Sequence, residues 1–282
     1  MENKLLTVLI PAFNSYEGVV RIVEMLKARE NVGVIVSDDS NDSLVAAAIE
    51  SYIWKLGRSD FTYCKHETTK NPVDNWNFLL AKVKSKFFMV AHHDESFSNT
   101  LFVDFLDKYQ DTTGLMVLPI SVKHPKSVVR TVSSRMQLVV VKLFRNNGLI
   151  LNFVMGPCSL LVIKTDHLVY FNRDLVFYVD VEWYRRIFAK LGNENITFFS
   201  KTTVISIISD NSITKGIGNR MREVVEADLK ILGNLYPNNV MLRKSMVGSF
   251  YKALYKFIIL PSFIPYYIRL ILSSLHGNNS RE

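Results

Sequence analysis

Residues 92–95 have the side chains best suited to chemistry in this sequence. Five consecutive apolar residues, 87–91, are followed by His92, His93, Asp94 and Glu95. Carboxylates bind divalent cations, and imidazoles and carboxylates also move protons. Open α/β sheets bind ligands at the carboxyl ends of their strands. The pattern predicts a site at the end of a buried strand, with a divalent cation that holds phosphates.

A second polar cluster follows another short apolar segment. Residues 32–36 are apolar and rich in valine and isoleucine, and residues 37–42 then include Asp38 and Asp39. Asp and Ser also cap helices, so each cluster alone has a purely structural alternative. Two clusters at two strand ends favour a binding site.

Alternating strand and helix patterns surround these clusters. The first strand is predicted at Leu5–Ile10, followed by a helix over 17–29 with Ser15 as its N-cap. A second helix is predicted over 43–56, ended by Gly57. This alternation is typical of βαβ units, so the expected class is α/β, with a Rossmann-like, mostly parallel sheet flanked by helices.

The composition limits the number of domains and indicates the cellular compartment. The chain has 282 residues, of which 48% are hydrophobic, enough for one large α/β domain with a tail or for two small domains. Its two cysteines, Cys64 and Cys158, do not suggest a disulfide framework and are typical of a reducing cytoplasm. The N-terminus lacks the pattern of a signal peptide.

The net charge of +8 is unevenly distributed. No acidic residue lies between Thr112 and Thr165, and the last 54 residues contain only Glu282. This asymmetry favours an anionic partner, but no nucleic-acid-binding motif is present. The tail mixes basic and aromatic residues, which suits a membrane surface, although a helical pair packed on the main domain is the alternative. Its uncharged stretch, 257–268, is too short to span a bilayer.

The order of the motifs resembles that of family-2, A-type-fold glycosyltransferases. The matching segments are Val8–Asn14, Val34–Asp42, Asn71–Asn77 and the strand that ends at Asp94. The resemblance covers about residues 4–110 well and about 150–190 more loosely. It implies a domain at 1–215, with a nucleotide-binding half at 1–110 and an acceptor half at 111–215. Residues 216–282 would form a helical, basic C-terminal region, for which association with a membrane surface is the expectation.

The resemblance also implies roles for individual residues. Asp94 would hold the metal, Mn²⁺ or Mg²⁺, and His92 occupies the place of the family's first metal-motif Asp. Imidazole is a softer ligand than carboxylate and suits Mn²⁺ better. His93 is expected to turn back toward the core. The residues assigned to the donor nucleotide are Pro11, Phe13, Asn14, Asp38, Asp39, Asn77, His92 and His93.

A later segment, 177–186, resembles the family's acceptor-activating motif. Asp180 aligns with the catalytic base, while Val179 replaces the preceding Glu. The ordinary alternative is an acidic helix start. Glu95, Gly156, Glu182 and Arg186 are assigned to acceptor contacts or to supporting positions.

The implied activity is metal-dependent transfer of a sugar from a nucleotide sugar, with a UDP-sugar favoured, to an acceptor hydroxyl with inversion. The acceptor would be a saccharide or lipid-linked saccharide in surface polysaccharide assembly, including lipopolysaccharide, at the cytoplasmic face of the cell membrane. No nucleic-acid partner is expected. The alternatives are a nucleotidyltransferase-like phosphate enzyme, although no Gly-rich phosphate loop is evident, and a non-catalytic, membrane-attached nucleotide-binding protein.

Overall fold

The computed structural model describes residues 4–66, 71–124, 127–132, 156–201, 203–207 and 217–237. The helices are α1 (Tyr16–Leu26), α2 (Ser43–Lys55), α3 (Pro72–Leu80), α4 (Leu101–Tyr109), α5 (Val179–Lys190) and α6 (Met221–Leu235). The strands are β1 (Leu6–Ala12), β2 (Val32–Asp38), β3 (Phe61–Lys65), β4 (Phe87–Val90), β5 (Glu95–Phe97), β6 (Leu115–Val117), β7 (Ile120–His124), β8 (Ser127–Val132), β9 (Leu161–Lys164), β10 (Ile196–Phe198) and β11 (Val204–Ile207).

The main sheet has seven strands in the order β10-β6-β9-β4-β1-β2-β3. Among these described strands, β9 alone runs antiparallel to its neighbours β4 and β6. A smaller sheet has the order β5-β11-β7-β8. The prediction of a mostly parallel α/β sheet flanked by helices is confirmed.

The central strands are apolar on both faces because helices cover them. All residues of β1, β2 and β4 are buried, which explains why their sequences are continuous apolar runs rather than alternating ones. Both β1 and β2 extend beyond the predicted apolar cores, to Ala12 and Asp38, because their backbone pairing continues into the polar ends.

Local capping fixes where the helices near the site begin and end. Asp42 accepts hydrogen bonds from the N–H groups of Leu44 and Val45, at 2.9 and 3.3 Å, and thereby starts α2. Asn71 accepts one from Val73 N–H at 3.0 Å and starts α3. Gly57 follows α2 with a φ of 63°, a left-handed conformation that suits glycine.

Two details of α1 differ from the prediction. Ser15 occupies the N-cap position, but its side chain makes no capping hydrogen bond; its carbonyl accepts from Val19 N–H at 3.3 Å instead. The helix ends at Leu26 rather than near Arg29 because Arg29 N–H turns back to the Leu26 carbonyl, at 2.8 Å, before β2 begins.

The C-terminal region is described only in part. Helix α6 lies at the start of the predicted helical tail, and its Leu232 is fully buried in the main core. Residues 238–282, which carry most of the basic and aromatic pattern, lie outside the described residues. Within the described part of the chain, no helix is both long and apolar enough to cross a membrane. The domain boundary at 215/216 stays a prediction.

Candidate active site

The polar clusters meet because their strands are neighbours. Strands β2, β1 and β4 lie side by side and run parallel, so their carboxyl ends share one edge of the sheet. His93 Nδ1 lies 3.2 Å from the carbonyl oxygen of Pro11, which joins the end of β4 to that of β1. His93 therefore turns toward the neighbouring strand. The sequence prediction of one shared site at this edge is consistent with this placement.

Asn14 ties the loop after β1 to the loop after β2. Its N–H donates to Ser40 Oγ at 2.7 Å, and its side-chain amide donates to Asn41 Oδ1 at 2.6 Å. Asp42 N–H in turn donates to Asn14 Oδ1 at 3.2 Å. The backbone φ of Asn14 is 48°, a left-handed conformation that few residues other than glycine and asparagine tolerate. Beside it Phe13 is 46% exposed, which leaves an aromatic face at the edge of the site.

Asp38 and Asp39 have different environments. Asp38 is fully buried, and its carboxylate accepts from Ser40 N–H at 2.9 Å, from the Ser40 hydroxyl and from Tyr63 OH at 2.9 Å. Both Asp38 oxygens are thus engaged within the protein. Burial raises the pKa of the Asp39 carboxyl above its ordinary value. Because both Asp38 oxygens are engaged within the protein, Asp39, which is 7% exposed, is the candidate of the two for a ligand contact.

The turn that carries Asp94 is closed by its neighbours. Glu95 Oε2 accepts from His92 N–H at 3.0 Å, and Glu95 N–H donates to the His92 carbonyl at 3.0 Å. Glu95 is 3% exposed, and burial, reinforced by the charge of Asp94, raises its pKa well above the ordinary value. Glu95 therefore supports the turn, whereas Asp94 is half-buried and keeps a face toward solvent.

Helix α1 contacts the same turn through hydrogen bonds to its backbone. Arg21 donates from Nη2 to the His93 carbonyl at 3.1 Å and from Nε to the Glu95 carbonyl at 3.3 Å. These carbonyls flank Asp94. A Cβ at Gly18 would lie 2.1 Å from the His93 carbonyl oxygen, so only glycine allows this close approach. Sequence reasoning missed both residues; their spacing of three on a predicted helix, which puts them on one face, was the available signal.

His92 faces inward, between an aromatic ring and a thiol. Its Nε2 lies 3.0 Å from Cys158 Sγ, and the Trp76 ring meets it edge-on at 4.9 Å between centroids. Burial, with a smaller contribution from His93, lowers the pKa of His92 to about 4 although the charge of Asp94 opposes the shift. The imidazole is neutral at physiological pH, and its Nε2 is occupied. Cys158 and Trp76 were not predicted as site residues.

Asp180 joins this cluster from the start of α5. Its Oδ1 is buried and has no hydrogen-bond partner among the described residues, and burial raises the pKa of the carboxyl to about 7. The charge of Asp180 contributes to raising the pKa values of Glu95, Cys158 and Tyr184. The ends of β4 and α5 therefore lie close enough for their carboxylates to interact.

The remaining predicted residues have supporting contacts. Gly156 has a φ of 108°, and its carbonyl accepts from Tyr184 OH at 3.0 Å. Glu182 is 2% exposed and forms a two-point ion pair with Arg186, at 2.6 and 2.7 Å. The Asn77 side-chain amide binds the Phe171 backbone. It accepts a hydrogen bond from the Phe171 N–H at 2.8 Å and donates one to the Phe171 carbonyl at 3.0 Å. Asn77 thus braces the chain beside the site, and its predicted contact with the donor stays a prediction.

The available ligands for a metal ion are few. Among the described residues, no group of three His, Cys, Asp or Glu side chains converges on one point. Mg²⁺ and similar cations, however, are often held by one or two carboxylates together with substrate phosphates. The half-buried Asp94 carboxylate fits that donor set, so the residues present suit a cation that arrives with a diphosphate.

Comparison with known families identifies the class of protein. A family model described as "Glycosyl transferase family 2" matches residues 7–221. The chain belongs to this family and is a glycosyltransferase that uses a nucleotide sugar. No curated protein sequence matches the chain significantly.

Solved structures share the fold at low sequence identity. The structure of S. aureus TarS 1-349 in complex with UDP-GlcNAc has a TM-score of 0.60 at 15% identity, over 92% of this chain and 74% of that chain. The TarS 1-349 complex with UDP has a TM-score of 0.54 at 16% identity, over 87% and 74%. A further S. aureus TarS structure has a TM-score of 0.53 at 18% identity, over 92% of this chain but 45% of that one. The A-type glycosyltransferase fold is therefore confirmed.

Proposed function

We propose that this protein transfers a sugar from a UDP-sugar to an acceptor hydroxyl with inversion, in a reaction that depends on a divalent cation. The observation that carries the proposal is Asp180. Its Oδ1 is buried without a partner, its pKa is raised to about 7, and it interacts electrostatically with Glu95 beside Asp94. A carboxylate that titrates near neutral pH is suited to general base catalysis.

The donor end of the site lies across the ends of β1 and β2. Asp39 is the proposed acceptor of hydrogen bonds from the nucleoside, and the exposed ring of Phe13 offers a surface for a base. Asn14 and Asp38 hold the two loops in position through their contacts with Ser40. The TarS structures that share this fold are complexes with UDP-GlcNAc and with UDP, which supports a uridine nucleotide as the donor here.

The diphosphate end lies at the turn after β4. Asp94 would hold the cation, Mn²⁺ or Mg²⁺, which when bound supplies charge stabilisation to the departing nucleoside diphosphate. Arg21 and Glu95 fix the turn so that the Asp94 carboxylate is held in place without a large rearrangement. His92, neutral and in contact with Cys158, is proposed to line the donor pocket rather than to bind the cation.

The acceptor end lies at the start of α5. Asp180 would accept the proton of the acceptor hydroxyl while its oxygen attacks the anomeric carbon from the face opposite the leaving group. That single displacement inverts the configuration and needs no covalent intermediate on the protein. Glu182 and Arg186 are occupied with each other, so their proposed role is to stabilise α5 behind Asp180.

The proposed acceptor is a lipid-linked saccharide at the cytoplasmic face of a membrane. The support is compositional: the last 54 residues carry seven basic residues and one acidic residue, with many aromatic residues between them. Such a segment suits the headgroup region of an anionic membrane. The proposal includes peripheral attachment and a role in surface polysaccharide assembly, including lipopolysaccharide.

A thermal-shift panel tests the donor proposal. UDP-, GDP-, ADP- and CDP-sugars, and separately the nucleoside triphosphates, are added to the full chain with Mn²⁺ or with EDTA, because a ligand that binds only the folded state raises its melting temperature. We expect UDP-sugars to stabilise most and EDTA to reduce the effect. UDP release from the stabilising donor then separates an enzyme from a nucleotide-binding protein, which would bind without turnover. Stabilisation by nucleoside triphosphates alone would favour the nucleotidyltransferase alternative.

A further inference from the structure

A short turn before α5 points three consecutive backbone N–H groups at one carboxylate. Asp228 of α6 accepts from Val176 N–H at 3.1 and 3.2 Å, from Phe177 N–H at 2.7 Å and from Tyr178 N–H at 2.8 Å. Asp228 is 1% exposed. Hydrogen bonds from N–H groups to an ionised carboxylate are shorter and stronger than those to a neutral acceptor.

This carboxylate binds the backbone immediately ahead of α5. The N-cap residue of α5 is Tyr178, whose side chain makes no capping hydrogen bond. The first N–H groups of a helix have no partners within the helix, and negative charge near this end is favourable. Of these donors Asp228 binds the Tyr178 N–H, and it also binds the two N–H groups before it, although α6 lies about 50 residues further along the chain.

The position of this contact matters because Asp180 follows the turn by two residues. Asp180 is in the first turn of α5. Its Oδ1 has no hydrogen-bond partner among the described residues, so no described side-chain bond fixes that oxygen. The position of the backbone ahead of Asp180 therefore contributes to where this carboxylate lies. Pre-organised groups held by rigid neighbours catalyse better than loosely held ones.

We propose that Asp228 is a positioning residue for the catalytic base Asp180, acting through the Val176–Tyr178 turn. The inference rests on the proposed function of Asp180. Asp228 lies beyond residues 7–221, which the family model matches, and within the region that the sequence assigned to a separate C-terminal part. The middle of α6 would thereby contribute to the active site through the backbone ahead of α5.

The chain offers a matched control for this role. Tyr236, just beyond α6, donates from its OH to Glu182 Oε1 at 2.7 Å, and its ring lies 4.0 Å from the Arg185 guanidinium carbon. Tyr236→Phe removes one hydrogen bond between the α6 region and α5 without touching the turn at Val176–Tyr178. A general loosening of α6 would affect both variants, whereas turn positioning depends on Asp228.

The experiment compares Asp228→Asn, Asp228→Ser and Tyr236→Phe in the full chain. Hydrogen exchange of the backbone amides at 175–181, followed by mass spectrometry, reports on the turn without any substrate. UDP release from UDP-GlcNAc with Mn²⁺, measured as kcat and KM, reports on the base. Asp228→Ser retains one acceptor with less bulk and serves if Asp228→Asn does not fold; each variant is assayed well below its own melting temperature.

We expect the Asp228 variants to accelerate exchange at 175–181 and to lower kcat at least tenfold, with KM within twofold of the wild-type value. Tyr236→Phe should leave both quantities close to wild type. Unchanged exchange in the Asp228 variants, or equal effects in the Tyr236 variant, would overturn the proposal. If the wild-type protein releases no UDP from UDP-GlcNAc, that sugar is not its donor; the kinetic comparison is then made with the UDP-sugar that stabilises the protein most, and the exchange measurement still decides whether Asp228 orders the turn.

Discussion

His92 Nε2 lies 3.0 Å from Cys158 Sγ, which joins the turn after β4 to the short helical turn that precedes β9. Burial, with the charges of Asp180 and Glu95, raises the pKa of the Cys158 thiol well above its ordinary value. The thiol is therefore protonated at neutral pH, next to a neutral imidazole. The contact closes one wall of the candidate site between two segments that are far apart in sequence.

The state of Cys158 can be measured by alkylation. Thiolates react with iodoacetamide and thiols do not, and Cys158 is fully buried whereas Cys64 is half-buried. We expect Cys64 to be labelled much faster than Cys158 in the native protein at pH 7.5, measured by peptide mass spectrometry. His92→Ala should speed labelling of Cys158, and His93→Ala should not. Equal labelling of both cysteines in the native protein would show that Cys158 is not enclosed as described.

Asp94→Ala tests the metal site. The variant removes the half-buried carboxylate after β4 while Arg21 and Glu95 still hold the turn. We expect manganese-dependent binding of UDP, measured by calorimetry, to be abolished in a protein that remains folded. Asp104→Ala, which removes an exposed carboxylate of α4, is the control. Unchanged metal dependence in the Asp94 variant would show that the cation is held elsewhere.

Much of the fold could be predicted because its strands are short apolar runs with polar ends. The strands at 87–90 and 32–36 could be assigned from their apolar residues alone, and the helix that Asp42 caps could be assigned over 43–56 from its pattern. Parallel pairing then brings the strand ends together without further information. The shared location of the motifs thus follows from local patterns.

The contacts that hold the site could not be predicted because they join side chains to distant backbone atoms. Arg21 binds carbonyls 72 and 74 residues away, and Asp228 binds amides 50 to 52 residues away. Almost every residue has the same backbone N–H and carbonyl groups, so the sequence does not show which of them a distant side chain will bind. Asn77 shows the converse: its residue type suited a ligand contact, whereas the structure places its amide on the Phe171 backbone.

Deletion of residues 243–282 tests membrane attachment. The deleted segment holds most of the basic and aromatic residues of the C-terminal region, and the truncation keeps α6 with Asp228 and Tyr236. We expect the truncated protein to move from the membrane fraction to the soluble fraction, with UDP binding retained. A full-length protein washed in high salt is the control, because salt screens binding to anionic lipids. Unfolding of the truncated protein would show that this segment packs on the domain instead.

The raised pKa of Asp180 predicts a pH-dependent stability. In the unfolded chain the carboxyl loses its proton near pH 3.8, whereas in the folded protein it keeps the proton up to about pH 7. The folded state binds more protons between these values, so the contribution to stability that is present below pH 3.8 is lost as pH rises through 7. We expect Asp180→Asn to melt higher than wild type at pH 8 and to lose this advantage progressively as the pH falls toward 4. Asp174→Asn, which removes an exposed carboxylate of the same segment, should show no such trend.

The same residue sets the pH dependence of the reaction. A general base must be deprotonated in the free enzyme, so kcat/KM for UDP release should rise with pH along a limb centred near 7. The measurement is a rate profile from pH 5 to 9 at constant ionic strength, with UDP binding recorded in parallel. A flat profile with normal binding would argue against Asp180 as the base.

Asp180→Asn, compared with Glu182→Gln, separates catalysis from support. The asparagine keeps the size of the side chain but cannot accept the proton, so transfer should fall by roughly two to four orders of magnitude, the usual contribution of a general base. UDP affinity should stay nearly constant because Asp94, Asp39 and their loops are unchanged. Glu182 is engaged with Arg186 and Tyr236, so Glu182→Gln should lower the melting temperature more than the transfer rate. Near-normal transfer by Asp180→Asn, or equal losses in both variants, would remove the catalytic assignment.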